Sequence, residues 1–267
     1  MNARLSNRRR KEINALTRRK YRKDLGQTLV EGVRAVQAAL DAEAPLTEVI
    51  VAERTRTDPA VQSLCDRASA PIHVVSDETM RRLSDVQTSQ GILAVAETRY
   101  VTEEALLDAL TPTTTLLALD GVQDPGNVGT ILRTAAWFGA DAVIAGPGTA
   151  GLYGPKVMRA AMGGHWDLRL TRSRALGELL QRLRRQGVRL YGADLQGVRA
   201  GAWQPATPSV LVLGSEAHGL SAAVHGTIDE RVAIPGTPRR TGAESLNVAV
   251  AAGILIYEWT GRGGPAS

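Results

Sequence analysis

The chain has 267 residues, 43% hydrophobic and 22% charged, with a formal net charge of +5. That length and balance suit a folded protein with one large core or two modest ones, and no apolar run nears the roughly 20 residues of a membrane span. A single cysteine, Cys65, excludes an intrachain disulfide, and the four histidines (His73, His165, His218, His225) lack metal-ligand spacing, which argues against a bound metal. Cys65 carries no nucleophile signature and reads as a small buried hydrophobe. No apolar signal region follows Met1, so a cytoplasmic protein without a membrane partner is expected.

The charge is unevenly spread. Residues 1–23 hold ten Lys or Arg against one acid, Glu12, a net +9, which leaves −4 for the rest. A basic arm on a mildly acidic body is the electrostatic footprint of a polyanion binder, because neutralised phosphates release counterions; a solvated tail is the alternative. Arg outnumbers Lys 28 to 4, which suits planar contacts to phosphate and base. Genome composition explains that ratio equally well.

After the arm, Gln27 to Gly32 leads into a helical pattern through Val33, Val36, Ala39 and Leu40 that stops at Pro45. Leu46 to Ala52 reads as a strand, Asp58 to Ala68 as a helix and Pro71 to Val75 as a strand. Ser76 to Leu83 follows as a capped helix, and Ile92 to Ala96 as a strand. This alternation predicts a small α/β domain over residues 24–97. Residues 98–114 read as a linker with a short helix.

From residue 115 to the end the alternation restarts. Strands are predicted at Leu116 to Leu119, Ala142 to Ala145, Val188 to Ala193, Val210 to Leu213 and Val232 to Ile234. Helices are predicted at Val128 to Phe138, after Pro155, at Ala175 to Gln186 and from Ser245-Leu246-Asn247 to Trp259. The fold class is α/β with a mostly parallel sheet, in which ligands sit beyond the carboxyl ends of the strands.

Three strand ends run into loops that could carry chemistry. In the first, Asn127-x-Gly129-x-x-x-Arg133 puts Asn127 at the N-cap of a helix and Arg133 one and a half turns further in. The dipole there repels a cation unless it shares an anion with the backbone N–H groups; an Arg that simply faces solvent is the alternative. In the second, Gly214-x-Glu216-x-x-Gly219 sets a carboxylate past a buried strand, where bracing the loop is the favoured role. In the third, Ser245 and Asn247 open the last helix, as an ordinary cap or as a polar ligand site. Gly146-Pro147-Gly148-Thr149-Ala150-Gly151 matches G-x-G-x-x-G, with Asp167 downstream. Four residues, ending in Pro155, separate it from any helix, which argues against a dinucleotide site.

Taken in order, Asp120-Gly121-Val122-Gln123-Asp124-Pro125-Gly126-Asn127-Val128-Gly129-Thr130-Ile131-Leu132-Arg133, then Leu213-Gly214-Ser215-Glu216-Ala217-His218-Gly219, then Ile234-Pro235 and Glu244-Ser245-Leu246-Asn247-Val248-Ala249-Val250-Ala251 resemble the SpoU (TrmH) family of RNA ribose 2′-O-methyltransferases, of the SPOUT class. Residues 156–164 look like the segment between the first two motifs. Residues 24–97 are similar to the family's smaller substrate-binding domain through Leu29 to Gly32 and Gln90 to Val95.

The resemblance implies a deep trefoil knot in the C-terminal domain, a homodimer, and S-adenosylmethionine held by loop backbone at Leu213, Gly214, Ile234 and Leu246. It also implies catalytic roles among Asn127, Arg133, Glu216, Ser245 and Asn247, and an RNA substrate, with ribosomal RNA favoured over transfer RNA. The loop over residues 236–243 reads as about three residues longer than the common form. A catalytically silent RNA-binding homologue and a nicotinamide-dependent oxidoreductase using residues 146–151 are the rival readings.

Overall fold

The computed structural model describes residues 5–237, 242 and 244–261. In chain order the first elements are α1 (Asn7–Ala15), α2 (Arg19–Leu25), β1 (Gln27–Glu31), α3 (Val33–Asp41), β2 (Leu46–Ala52), α4 (Pro59–Arg67), β3 (Ile72–Val75), α5 (Asp77–Leu83) and β4 (Ile92–Glu97). Then come α6 (Glu103–Asp108), β5 (Thr115–Asp120), α7 (Pro125–Trp137), β6 (Ala142–Ala145), α8 (Pro155–Ala161) and β7 (Arg169–Arg172). The chain finishes with α9 (Leu176–Arg185), β8 (Arg189–Arg199), β9 (Ser209–Gly214), α10 (Ala222–His225), β10 (Glu230–Ala233) and α11 (Val248–Thr260). These elements form two compact units, Met1–Arg99 with Tyr153–Trp166, and Tyr100–Leu152 with Asp167–Ser267.

The first unit is built on a mixed sheet in the order β1-β4-β2-β3, with only β2 and β3 parallel. Gln27 to Glu31, expected to lead into a helix, is a strand: a short run with Leu29 and Val30 buried pairs with β4 better than it can extend α3. Residues 1–23 are set apart in the sequence as an arm, yet the described part folds into this unit. Leu5, Ile13 and Leu16 are buried in one cluster with Leu29, Ile50, Met80, Leu83 and Leu93.

Part of the arm's charge is likewise structural. Arg9 bonds Glu48, Glu12 and Gln27, and Arg22 Nη1 donates to the carbonyls of Leu16 and Thr17, each at 2.8 Å, closing the end of α1. Arg18, Arg19, Lys20 and Lys23 remain exposed.

Helix α8, expected in the C-terminal domain, belongs to the first unit instead. Thr28 Oγ1 donates to the Tyr153 carbonyl at 2.8 Å, and Arg159 pairs with Asp85 at 2.9 Å. Cys65 is half-buried, a correction to its expected full burial, and its thiol is pushed up by desolvation and by Asp66.

In the second unit six strands run parallel in the order β10-β8-β9-β5-β6-β7. Leu116 to Leu119 are wholly buried, as a strand covered on both faces requires. Leu116 and Ala118 join Leu176, Leu179, Leu180 and Leu183 of α9 and Val224 of α10 on one face. On the other, α7 and α11 pack together, and Trp259 Nε1 donates to Ser209 Oγ at 2.9 Å. Residues 98–114 are more than a linker, since Leu106 and Leu107 enter this core. The strand order reverses between β5 and β9, the place where parallel sheets open a crevice.

Candidate active site

Strand β9 ends in a tight reversal. Ser215 and Gly219 exchange backbone hydrogen bonds at 2.9 Å in both directions, and a Cβ at Gly214 would stand 2.2 Å from the Gly219 carbonyl carbon, so position 214 has room for glycine only. The reversal turns Glu216 toward the start of α7. Its Oε1 accepts from Asn127 Nδ2 at 2.9 Å and its Oε2 from the Gln123 N–H at 3.3 Å. Partial burial would raise the carboxyl pKa. The hydrogen bonds from Asn127 and from the backbone N–H groups of Glu216, Gln123 and Asp124 outweigh it and hold the pKa below the ordinary glutamate value.

Asn127 does not cap α7. Asp124 is the N-cap, accepting from the Asn127 N–H at 3.0 Å, with Pro125 at the first helical position. The pattern Asp-Pro-Gly-Asn carries that signal, because Asp caps well and Pro fits the first turn. The correction frees the Asn127 side chain to bridge two loops.

Asn247 caps α11, which begins at Val248 and not at Ser245. Its Oδ1 accepts from the N–H groups of Ala249 at 2.9 Å and Val250 at 3.3 Å, and its Nδ2 donates to Asn127 Oδ1 at 3.0 Å. The direction of this chain is forced. Backbone N–H groups cannot accept and an ionised carboxylate cannot donate, so both amides between them have one orientation. Three segments up to 120 positions apart in sequence are thereby joined.

Arg133 lies outside the chain of bonds. It is six residues beyond Asn127, about 9 Å along the axis and a third of a turn off its line, and its side chain is exposed without an ion pair to any described residue. Ser245 is exposed two residues before the Asn247 cap. Of the four residues expected at the cofactor, Leu213 is buried, Gly214 and Ile234 are half-buried, and Leu246 leaves 48% of its surface open. Most of the longer loop expected over residues 236–243 lies outside the described residues.

Two contributors were missed in the sequence. The Gln123 N–H holds Glu216, and Thr149 Oγ1 accepts from the Gly121 N–H at 3.1 Å while donating to the Leu119 carbonyl at 2.8 Å. Backbone donors leave no residue signature, and Thr149 sits inside the glycine-rich stretch weighed as a nucleotide loop. The helix after that stretch starts at Pro155, too late for a dinucleotide fold.

The profile of the SpoU rRNA methylase family matches residues 114–257, and that of the MRM3-like substrate binding domain matches residues 7–94. The chain is 33% identical over 252 residues, 94% of its length and 95% of the relative's, to 23S rRNA (guanosine(2553)-2′-O)-methyltransferase RlmP of Bacillus subtilis (strain 168). An AdoMet-bound rRNA methyltransferase from Sinorhizobium meliloti superposes with a TM-score of 0.81 at 28% identity, covering 97% of this chain and 95% of that one. The SpoU methyltransferase AviRb from Streptomyces viridochromogenes, in complex with AdoMet, gives 0.85 at 25% identity, with 96% and 98% covered.

Proposed function

Because the chain belongs to the SpoU rRNA methylase family, we propose that it methylates a ribose 2′-hydroxyl of ribosomal RNA with S-adenosylmethionine as donor. The observation that carries this reading is the directed chain Asn247–Asn127–Glu216, which ties the three motif loops together, with Arg133 exposed further along α7. The relative named as a 23S rRNA enzyme favours the large subunit. Ribosomal RNA is met in the cytoplasm, the expected location.

The loops suit the cofactor. Leu246 and Ile234 leave apolar surface uncovered, as an adenine face requires, and backbone at the carboxyl end of β9, at Leu213 and Gly214, offers the polar contacts. When bound, S-adenosylmethionine supplies an electrophilic methyl on sulfur. The protein's part is then chiefly alignment of the attacking oxygen, which can account for many orders of magnitude. Arg133 pins an RNA phosphate. Its guanidinium does not act as the base, because a delocalised guanidinium has no free lone pair to take a proton at neutral pH; the proton leaves through that phosphate or the Ser245 hydroxyl. Glu216 and Asn127 are positioning residues that set the direction of the Asn247 amide.

Helix α11 supports a homodimer. It is apolar on nearly every side, yet Val250, Ile254 and Tyr257 stay open on one stripe, next to Trp137 of α7 at 84% exposure. Helices of that kind belong in an interior. A second copy of the chain is the partner proposed for this face, and Arg133, one turn before Trp137, then lies at the boundary between copies. A trefoil knot in the second unit follows from the family fold, and recognition of RNA from the first unit, through Arg18, Arg19, Lys20 and Lys23.

Tritiated methyl transfer from S-adenosylmethionine to unmodified 23S, 16S and transfer RNA tests the reading. Label in 23S rRNA is expected. Label confined to transfer RNA favours the alternative substrate, and no label in any RNA leaves the silent RNA-binding homologue.

A further inference from the structure

The function above leaves unassigned a cavity of about 630 Å³ at the carboxyl edge of the second sheet. It opens beyond the ends of β5, β6, β7 and β9. Its floor is backbone: Gly121 and Gly148 both adopt left-handed conformations, with φ of 76° and 79°, and a Cβ on Gly148 would stand 3.5 Å from the Gly121 Cα. Side chains on either position would fill the space. Pro147 and Gly148, from the stretch that imitates a nucleotide loop in the sequence, therefore line a real cavity.

Uncommitted polar groups ring this floor. Arg174, Glu178 and His218 line the cavity, are exposed, and direct no side-chain hydrogen bond or ion pair to a described residue. Buried Asp120 is used up in part, accepting the Ser221 N–H at 2.6 Å. Two carboxylates, Asp120 and Glu178, make the cavity a poor host for a bare phosphate, while the guanidinium and imidazole make it a poor host for a cation. A neutral planar group with donors on one edge and acceptors on another satisfies both.

Among RNA bases guanine alone presents two adjacent N–H donors, N1–H and N2–H, which match one carboxylate, and the acceptor pair O6 and N7, which matches one guanidinium. Imidazole rings also stack on unpaired bases. The cavity reaches the catalytic chain directly: Gln123 and Ser215 line it, the Gln123 N–H holds Glu216, and Ser215 precedes Glu216.

We propose that this cavity receives an unstacked guanine of the RNA segment that carries the methylated ribose, read by Glu178 and Arg174 and stacked on His218. The proposal rests on the RNA methyltransferase reading and adds to it the base that is recognised.

The test uses the full chain with guanosine, adenosine and cytidine 5′-monophosphates and ribose 5-phosphate as probes, followed by backbone amide NMR. Guanosine monophosphate is expected to shift Gly121, Gly148 and Gly219 and to bind about tenfold more tightly than the others, the discrimination of one bidentate pair. Glu178→Gln should abolish that preference. With 23S rRNA, Glu178→Gln and Arg174→Ala should each raise KM about tenfold, with kcat and S-adenosylmethionine affinity little changed. Equal binding of adenosine monophosphate or ribose 5-phosphate, shifts confined to other regions, or unchanged KM in both variants would overturn the proposal. Failure of the wild-type chain to methylate any RNA would instead strike the function above, while the mononucleotide titration still reads the cavity.

Discussion

Asn247 donates from Nδ2 to Asn127 Oδ1 at 3.0 Å while its own Oδ1 caps α11, so one side chain both starts a helix and closes a bridge between motifs. These two tasks separate by mutation. Asn247→Asp keeps a capping oxygen, which suits a helix N-terminus, but loses the donor and turns a carboxylate toward the Asn127 carbonyl oxygen. Thermal stability should be nearly unchanged, while kcat falls roughly 10²-fold, the cost of misplacing groups that align reactants. Asn247→Ala should lose activity similarly and also about 1 kcal/mol of stability. Calorimetry beside single-turnover methylation separates the two effects.

Glu216 fixes the other end of the bridge, and its ionisation sets a pH dependence. Its folded pKa is depressed, so its contribution to stability is fully present above the unfolded value, about 4.3, and is lost as pH falls through the lower folded one. Glu216→Gln puts an NH2 group among donors. Its activity should drop at neutral pH, and the melting temperature of the wild type should fall more steeply than that of Glu216→Gln as pH is lowered below about 4.3. Parallel melting curves would show that the carboxylate is not held by these bonds.

Arg133→Ala should reduce kcat by about 10²-fold, as loss of a charge clamp does, with S-adenosylmethionine affinity retained. Arg133→Lys should recover part of the loss, since a point charge holds phosphate without the fork. A wild-type rate for Arg133→Ala under saturating RNA contradicts the assigned role. Ser245→Ala separates the two proton routes: a large fall in kcat with unchanged RNA binding assigns the hydroxyl, and no fall leaves the phosphate.

The proposed dimer predicts that Trp137→Glu or Tyr257→Glu converts a species of twice 28.4 kDa to a single chain in sedimentation and lowers activity with it. A folded wild-type monomer at micromolar concentration contradicts it.

In the first unit, Ile13 and the exposed cations of residues 18–23 behave differently. Ile13→Ala removes a fully buried side chain and should cost about 2–5 kcal/mol. Replacing Arg18, Arg19, Lys20 or Lys23 by Ala should leave stability alone. Each replacement of a cation that neutralises a phosphate should lower the salt slope of RNA binding by about one.

Most of the parallel sheet was legible because buried strands such as Leu116 to Leu119 are continuous apolar runs bounded by turn residues. The assignment of Asn127, Glu216 and Asn247 to one site came from motif resemblance; what periodicity could not supply was their connectivity, which spans 120 positions and depends on amide direction. The arm misled for a physical reason. Ile13 and Leu16 read as groups the arm can pack with, but their burial, with Leu5, depends on partners in β1, β2, β4 and α5, distant in sequence. Helix α8 was assigned by position in the chain, whereas Thr28 and Asp85, far earlier in sequence, hold it. The cap of α7 was misread locally, since Asp124, three residues upstream, competes with Asn127 for the same role.

The most direct test is chemical. Full-length chain, S-adenosylmethionine carrying a labelled methyl, and unmodified 23S rRNA are incubated together, and the RNA is hydrolysed in alkali, which needs a free 2′-hydroxyl for each cleavage. The expected result is label in an alkali-resistant dinucleotide, formed about 10²-fold more slowly with Arg133→Ala and Asn247→Asp. Label released in mononucleotides, as a base methyl would be, contradicts it.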